Sequence, residues 1–304
     1  MGTTYNIKIS KSIKSNEVKI LKYKIDSLLL DINMMFSTYI DSSEISRFNK
    51  ADKKLVISQQ FIDLFNRSKE IYDETDGAFD PSVQPLVNLW GFGNQGKVNL
   101  IPVDSVIQNI IKNSSYTEVI LNNFELIKLN KLVEIDFSAI AKGYGVDRLS
   151  QFLKGKNIEN FMVEIGGEVV CNGKNFGKTW KIGLQNPFSD YSSENILEII
   201  KLENKAMATS GNYRNFFEMD GQLYSHMINP RTGYPIKNNL RSVTVITNNC
   251  LDADAYATAL MVMGTTQGLR FVENHKNIEA IFITGNMDDY RLIKSSGIKK
   301  IIKD

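Results

Sequence analysis

The second half of the chain alternates short apolar segments with turn signals, and this pattern constrains the fold more than any other feature. Residues 161–170 (FMVEIGGEVV), 180–187 (WKIGLQNP) and 242–247 (SVTVIT) have the length and β-branched content of strands. Asp220-Gly221 separates two further strand segments and is a strong hairpin signal. Helical segments are interleaved with these strands. We therefore predict an α+β fold with mainly antiparallel pairing, and not a doubly wound parallel sheet.

The first half predicts two amphipathic helices and a set of hairpin strands. Apolar residues recur at helical spacing from Val18 to Phe36, and again after Ser58, which is a plausible N-cap. Residues 37–49 lose this period and are predicted to form a loop. Residues 118–136 indicate three strands, of which 132–136 (LVEID) is the third and ends at Asp136. We find no repeat or linker and predict one domain over residues 1–304.

Composition and charge exclude several classes of protein. The 304 residues carry a net charge of +2, so the overall basic field that nucleic-acid binding needs is missing. The two cysteines, Cys171 and Cys250, lack CxxC spacing, which disfavours a disulfide framework or a thiolate zinc site. No apolar run is long enough to span a membrane. The chain opens on MGTTYNIKI without a signal-peptide pattern, which fits a cytoplasmic protein or one whose leader has been removed.

Residues 75–93 (TDGAFDPSVQPLVNLWGFG) place carboxylates among aromatic side chains. Asp76-Gly77 and Asp80-Pro81 are turn signals, yet Phe79 and Trp90 lie close to them in the sequence. Carboxylates beside aromatic rings suit a heteroaromatic ligand with polar edges. From this segment alone, a well-packed connector with a tryptophan anchor is the favoured interpretation.

Asp136 is followed by FSAIAKGYG, where small residues open a helix. Small residues let a ligand approach the backbone, and a helix N-terminus attracts anions. Lys142 could reach a phosphate there. The segment is not a Walker loop, and small residues at a helix start serve tight packing equally well.

His226 and the helix at 252–263 carry the remaining candidate chemistry. The neighbours of His226 include Asn229 and Arg231, so a general base and a merely structural histidine are about equally favoured. Asp254 and Thr258 are spaced i and i+4 on one helical face, and their hard oxygens suit Mg²⁺.

Taken together, the motifs resemble the ApbE family of FAD:protein FMN transferases. The matching segments run in family order from MGTTY through STYIDSSEISRFN, TDGAFDPSVQPLVNLWGFG, IDFSAIAKGYGVDRL, VEIGGEVV, ATSGNYRNFFE and YSHMINPRTGYP to DADAYATAL. They cover nearly the whole chain, and several exceed eight residues. The resemblance implies an α+β fold related to the T-fold, with two subdomains around an FAD cleft.

The resemblance also implies roles for particular positions. The positions that match the FAD site of the family are Met1, Tyr39, Ala78, Phe79, Asp80, Asp136 and Lys142. Asp254 and Thr258 match the magnesium ligands, joined by the backbone carbonyl of Ala139, where the family often has glycine or another small residue. His226 matches the proposed catalytic base.

The activity implied by this resemblance is Mg²⁺-dependent transfer of FMN from FAD to a serine or threonine hydroxyl of an acceptor redox protein, with release of AMP. An FAD pyrophosphatase that gives FMN and AMP, and a non-enzymatic flavin carrier, are the alternatives. The resemblance further implies a lipoprotein on the outer face of the cytoplasmic membrane, with a cytoplasmic form as the alternative.

Overall fold

The computed structural model describes residues 2–93, 100–188, 196–212, 216–219 and 222–302, and of residues 216–219, 222, 223, 300 and 302 it describes only the backbone. Eight α-helices occur in these ranges: α1 Ser15–Phe36, α2 Glu44–Lys50, α3 Gln59–Glu74, α4 Gln84–Leu89, α5 Asp104–Asn113, α6 Ala141–Lys154, α7 Cys250–Asn274 and α8 Lys299–Ile302. The same ranges contain fourteen strands: β1 Tyr5–Ile9, β2 Lys54–Val56, β3 Val119–Asn122, β4 Glu125–Lys128, β5 Phe161–Ile165, β6 Glu168–Asn172, β7 Trp180–Gln185, β8 Ile196–Leu202, β9 Lys205–Gly211, β10 Phe216–Met219, β11 Gln222–Ser225, β12 Leu240–Thr247, β13 Glu279–Gly285 and β14 Tyr290–Lys294.

The chain divides into two compact units, each built from separate stretches of sequence. The first comprises Leu29–Ala141 and Asn215–Lys237, and the second comprises Gly2–Leu28, Lys142–Arg214 and Asn238–Asp304. Every strand pair in the described part of the chain is antiparallel, and helices are interleaved with the strands. The predicted α+β class is confirmed.

The second unit is built on a seven-stranded sheet with the order β1-β5-β6-β9-β12-β13-β14, beside a two-stranded β7-β8 ribbon. Residues on a strand alternate between the two faces. Met207 and Ile246 lie in an apolar cluster that also contains Trp180 and Ile200 of the ribbon. Ser210, three positions after Met207, instead contacts Thr258 of α7. The ribbon and α7 therefore cover opposite faces of the sheet.

The first unit packs helices α2 to α5 with the β2-β4-β3 sheet and the β10-β11 hairpin. Phe36, Phe61 and Phe137 form a triangle of rings whose centroids lie 5.5 to 5.8 Å apart. Ser58 caps α3, as predicted, because its side chain accepts the N–H of Phe61.

Two elements of the first unit differ from the sequence-based expectation. Residues 44–50 are helical, and not loop, because the Ser43 hydroxyl accepts the N–H of Ser46 and the short helix buries Ile45 and Phe48. Residues 132–136 are not a strand. The side chain of Asn49 instead bonds both the N–H and the carbonyl of Ile135, so this backbone needs no strand partner. The third strand of that sheet is β2.

Helix α7 is longer than the predicted 252–263 helix and contains one non-helical residue. Gly264 has φ 74° and ψ 176°, a conformation that costs a residue with a side chain but not glycine. The pair β10-β11 is antiparallel as predicted. The Asp220-Gly221 turn itself lies outside the described residues. No helix in the described part of the chain is long and apolar enough to cross a bilayer.

Both cysteines are buried and unpaired, one in β6 and the other at the start of α7. Burial raises the pKa of the Cys171 thiol to about 12 and that of Cys250 well above its usual range. These thiols are therefore protonated at neutral pH and act as small apolar core groups.

Candidate active site

The candidate residues of the second unit meet at the start of α7. Asp254 and Thr258 face the same side of this helix, as their spacing predicts, and the Thr258 hydroxyl is 3.3 Å from that of Ser210 on β9. Asp254 is only 2% exposed, so its carboxylate needs compensating partners. It accepts the N–H of Gly143 at 2.9 Å and a hydrogen bond from the Lys142 ammonium at 3.3 Å.

Gly143 makes the first of these bonds possible. A Cβ at this position would lie 2.3 Å from the carbonyl oxygen of Cys250 and 2.8 Å from the Cα of Leu251. Only glycine lets the backbone of α6 come this close to the start of α7. At Gly143, the small residue of the AKGYG segment therefore serves the packing of α6 against α7. The prediction that this helix start also suits an anion rests on its backbone N–H groups.

Lys142 lies between two buried carboxylates. Its Nζ is 3.3 Å from Asp254 and 3.4 Å from Oε1 of Glu168, the first residue of β6. Burial alone would lower the pKa of Lys142, but the charges of Asp254 and Glu168 outweigh it and raise that pKa above the ordinary value. Burial raises the pKa of Glu168, which Lys142 opposes and Asp254 reinforces.

Asp147 anchors the start of α7 from the neighbouring helix. Its two carboxylate oxygens accept the N–H groups of Cys250 and Leu251 at 2.9 and 2.8 Å. Asn249 is the N-cap of α7, and its side-chain oxygen accepts the N–H of Asp252. Asp147 and Asn249 together satisfy the N–H groups of the turn that precedes Asp254.

The candidate residues of the first unit lie on three segments, of which residues 76–80 are the first. Asp76 and Gly77 both have positive φ, as the turn signal predicts. Asp80 accepts the N–H and the hydroxyl of Ser82, at 2.7 and 2.6 Å. Burial raises the pKa of Asp80 to about 6, against the lowering effect of these two bonds. Phe79 is 1% exposed and Ala78 is 3% exposed, so their side chains belong to the core.

Tyr39, Asp136 and Ala139 lie on other segments of this unit. Tyr39 is 73% exposed in the turn that follows α1. Asp136 accepts the N–H and the hydroxyl of Ser138, at 2.8 and 2.6 Å, in the turn that leads into α6 and contains Ala139. Met1 lies outside the described residues.

His226 follows β11 and contacts Phe92, with the ring centroids 6.3 Å apart and the planes at 69°. The segment after it is fixed by long-range bonds. The indole N–H of Trp90 donates to the carbonyl of Gly233 at 2.8 Å, which confirms the predicted tryptophan anchor. Arg231 donates to both the backbone carbonyl and the carboxylate of Asp76, at 2.6 and 2.5 Å.

Comparison with known proteins gives the family. The ApbE family model matches residues 1–282. This chain belongs to the ApbE family. It is 39% identical over 305 residues to the FAD:protein FMN transferase of Vibrio cholerae, covering 99% of this chain and 90% of that protein. The FAD:protein FMN transferase of Haemophilus influenzae is 37% identical over 311 residues, covering 99% of this chain and 88% of that protein.

Solved structures of ApbE proteins have the same fold. The flavin transferase ApbE of Vibrio cholerae superimposes with a TM-score of 0.88 at 38% identity, covering 99% of this chain and 96% of that one. The apo form of the Pseudomonas stutzeri flavinyl transferase ApbE gives a TM-score of 0.89 at 31% identity, covering 100% and 95%. The similarity therefore extends over both units.

Sequence reasoning assigned no role to Glu168, Asp147 or Phe92. Glu168 had a signal, since it is an acidic residue followed directly by three apolar residues of the strand, VVC. Asp147 had none, because an aspartate in an amphipathic helix is ordinarily a surface residue. Its role depends on the approach of α7, more than one hundred residues later in the sequence.

Proposed function

We propose that this chain is an FAD:protein FMN transferase. The observation that carries the proposal is the similarity to transferases of that name, which extends over 99% of the chain. In the reaction, a serine or threonine hydroxyl of an acceptor protein attacks the phosphorus of the FMN half of FAD. A new P–O bond forms to the acceptor, the P–O bond to the AMP half breaks, and AMP leaves.

The buried carboxylate at the start of α7 supports a magnesium site. No three His, Cys, Asp or Glu side chains converge as metal ligands within the described ranges. Mg²⁺, however, also binds hydroxyl and carbonyl oxygens, water and substrate phosphates. The proposed ligands are Asp254, Thr258 and the backbone carbonyl of Ala139. When bound, the ion would neutralise charge on the pyrophosphate and on the departing AMP.

The side chains of the protein have complementary roles in this proposal. Lys142 binds a phosphate oxygen of FAD, and its raised pKa keeps it charged at the pH of the reaction. His226 takes the proton of the attacking hydroxyl, and its ring is oriented by Phe92. Arg231 holds the segment after His226 against Asp76.

The remaining candidates would bind the flavin. These are Met1, Tyr39, Ala78, Phe79, Asp80 and Asp136. For Ala78 and Phe79 the proposal concerns the backbone, because both side chains are in the core. Tyr39 is the exposed aromatic among them and suits stacking on a ring system.

The test is an incubation of the purified protein with FAD, Mg²⁺ and an acceptor protein that carries a serine or threonine flavinylation motif. Transfer predicts one covalently bound FMN per acceptor by intact mass and an equal amount of AMP. An acceptor whose hydroxyl residue is replaced by alanine is the control. Free FMN with unmodified acceptor would support the pyrophosphatase instead, and FAD binding without AMP release would support the carrier.

We also propose that the protein works at the outer face of the cytoplasmic membrane as a lipoprotein, with the cytoplasm as the alternative site. The basis of this proposal is that proteins of the ApbE family are commonly anchored there by a lipid. Fractionation of cells that express the gene from its native start, followed by mass spectrometry of the N-terminus, distinguishes the two. A lipid-modified N-terminal cysteine is the expected result, and an unmodified cytoplasmic form would refute it.

A further inference from the structure

Glu168 is a buried glutamate with one carboxylate oxygen that lacks a hydrogen-bond donor in the described part of the chain. It is 3% exposed, and its Oε2 has no hydrogen-bond partner among the described residues. Its other oxygen is 3.4 Å from the Lys142 ammonium. A buried carboxylate oxygen without a donor costs free energy, so a position that retains one is expected to gain a donor in some functional state.

Asp254, the other carboxylate beside Lys142, is held differently. The N–H of Gly143 donates to its Oδ2 at 2.9 Å, so the backbone fixes this side chain independently of the lysine. The distances from Nζ to the two carboxylates, 3.3 and 3.4 Å, are nearly equal. Lys142 is therefore shared between a backbone-fixed aspartate and a glutamate whose Oε2 has no donor in the described residues.

This sharing has a consequence for a cation that binds Asp254. A divalent ion on that carboxylate competes with the lysine for the same oxygens and repels its charge. If Asp254 were the only counter-ion of Lys142, metal binding would require a buried ammonium to give up its partner. Glu168 provides a second partner at nearly the same distance, so Lys142 can stay in place while the Asp254 carboxylate binds the metal.

We infer that Glu168 is a positioning residue of the metal site, which retains Lys142 when Asp254 binds the ion and whose free oxygen accepts a hydrogen bond from a metal-bound water. This inference rests on the proposed magnesium site. Mg²⁺ keeps several water ligands in proteins, and such waters are hydrogen-bond donors. The unpaired Oε2 thereby acquires the donor that it lacks.

The test measures Mn²⁺ binding to the protein alone, from the electron paramagnetic resonance signal of free Mn²⁺. We expect Glu168→Gln to weaken Mn²⁺ binding by about 10-fold, the size of effect typical for partners of metal ligands. Glu198→Gln is the matched control, because Glu198 is a partly buried glutamate that, like Glu168, is paired with a lysine, here at 2.6 Å, and has an unpaired Oε2 within the described ranges. This control should bind Mn²⁺ as the wild type does.

A second pair of variants separates positioning from a general effect on folding. The double variant Lys142→Met/Glu168→Gln lacks the ammonium that competes with the metal for the Asp254 carboxylate, so its Mn²⁺ affinity should return to near the wild-type value. Lys142→Met alone should bind Mn²⁺ at least as tightly as the wild type. The measurement on Lys142→Met tests the inference even if Glu168→Gln does not fold. Weaker Mn²⁺ binding by Lys142→Met than by the wild type would contradict competition between Lys142 and the metal for Asp254.

The outcomes distinguish this inference from the proposed function. Wild-type Mn²⁺ affinity in Glu168→Gln, together with lost binding in Asp254→Asn, would overturn the inference and leave the metal site intact. A double variant no better than Glu168→Gln would also overturn it. Unchanged Mn²⁺ binding in Asp254→Asn, or no binding by the wild type, would refute the metal site itself.

Discussion

His226 is one of two histidines in the chain, and the other, His275, provides a control for its substitution. We expect His226→Ala to lower kcat for FMN transfer by about 10²- to 10⁴-fold, the usual contribution of a general base, with little change in KM for FAD. His275→Ala should leave both constants at their wild-type values, since His275 caps the end of α7 and stacks on Phe271. Steady-state assays of AMP release measure both. Wild-type kcat in His226→Ala would rule out the base.

Asp80 gives a prediction about stability and pH. Its pKa is about 6 in the folded protein, above the ordinary value of 3.8, because the carboxyl group is buried. The folded state thus binds the proton more tightly than the unfolded state. The stabilisation is fully present below pH 3.8 and is lost as the pH rises through 6. The loss amounts to at most about 3 kcal/mol, at 1.36 kcal/mol per unit of pKa shift.

The variant Asp80→Asn keeps an acceptor for Ser82 but does not titrate. Its free energy of unfolding, relative to that of the wild type, should therefore rise by up to about 3 kcal/mol between pH 4 and pH 7. Urea unfolding at a series of pH values measures this difference. Parallel curves for the two proteins would show that the Asp80 carboxyl group is solvated in the folded state.

Among the elements, α7 depends on a carboxylate that is remote in sequence. Asp147→Ala would leave the N–H groups of Cys250 and Leu251 without their acceptors, which costs about 1–3 kcal/mol for each buried group. Asn249→Ala, which removes the N-cap on the same turn, should cost only about 1 kcal/mol. Chemical denaturation compares the two variants. A smaller loss for Asp147→Ala than for Asn249→Ala would contradict the anchoring role.

The same contrast explains which elements could be predicted from the sequence. The Ser58 cap of α3 and the Asp254–Thr258 face of α7 depend on spacings of three or four residues, and both were predicted correctly. Helix α2 is short and has few apolar positions, so its period is weak. The segment at 132–136 has strand-like composition, but the side chain of Asn49 satisfies its backbone, and no local pattern reveals a contact over 86 residues.

The candidate site shows the same limit at its centre. Asp254 could be predicted as a metal ligand from the sequence because Thr258 supplies a hydroxyl one helical turn away. Lys142 and Glu168 come from α6 and β6, and only the folded chain shows that Asp254 and Glu168 both contact the Lys142 ammonium.

For the whole molecule, binding of FAD should appear as added stability. A ligand present at one hundred times its Kd and bound only by the folded state contributes about 2.7 kcal/mol. For a chain of this size we expect a rise in Tm on the order of 5 °C. Mg²⁺ should increase the rise further in the wild type.

Asp254→Ala separates the two ligands. This variant should keep the rise in Tm caused by FAD alone, lose the additional rise caused by Mg²⁺, and release no AMP. Differential scanning fluorimetry and an AMP assay on the same samples measure these effects. Full turnover by Asp254→Ala would remove the metal assignment.

The burial of both thiols has a practical consequence for spectroscopy. Cys171 and Cys250 are inaccessible and protonated at neutral pH, so a maleimide dye would react with them slowly. A cysteine introduced at the exposed Asp41, two residues after Tyr39, would then be the one fast-reacting site, without prior removal of native cysteines and with the proposed flavin contact left in place. Because flavins quench many fluorophores, a dye at that position would report the arrival of FAD and the departure of its products in real time.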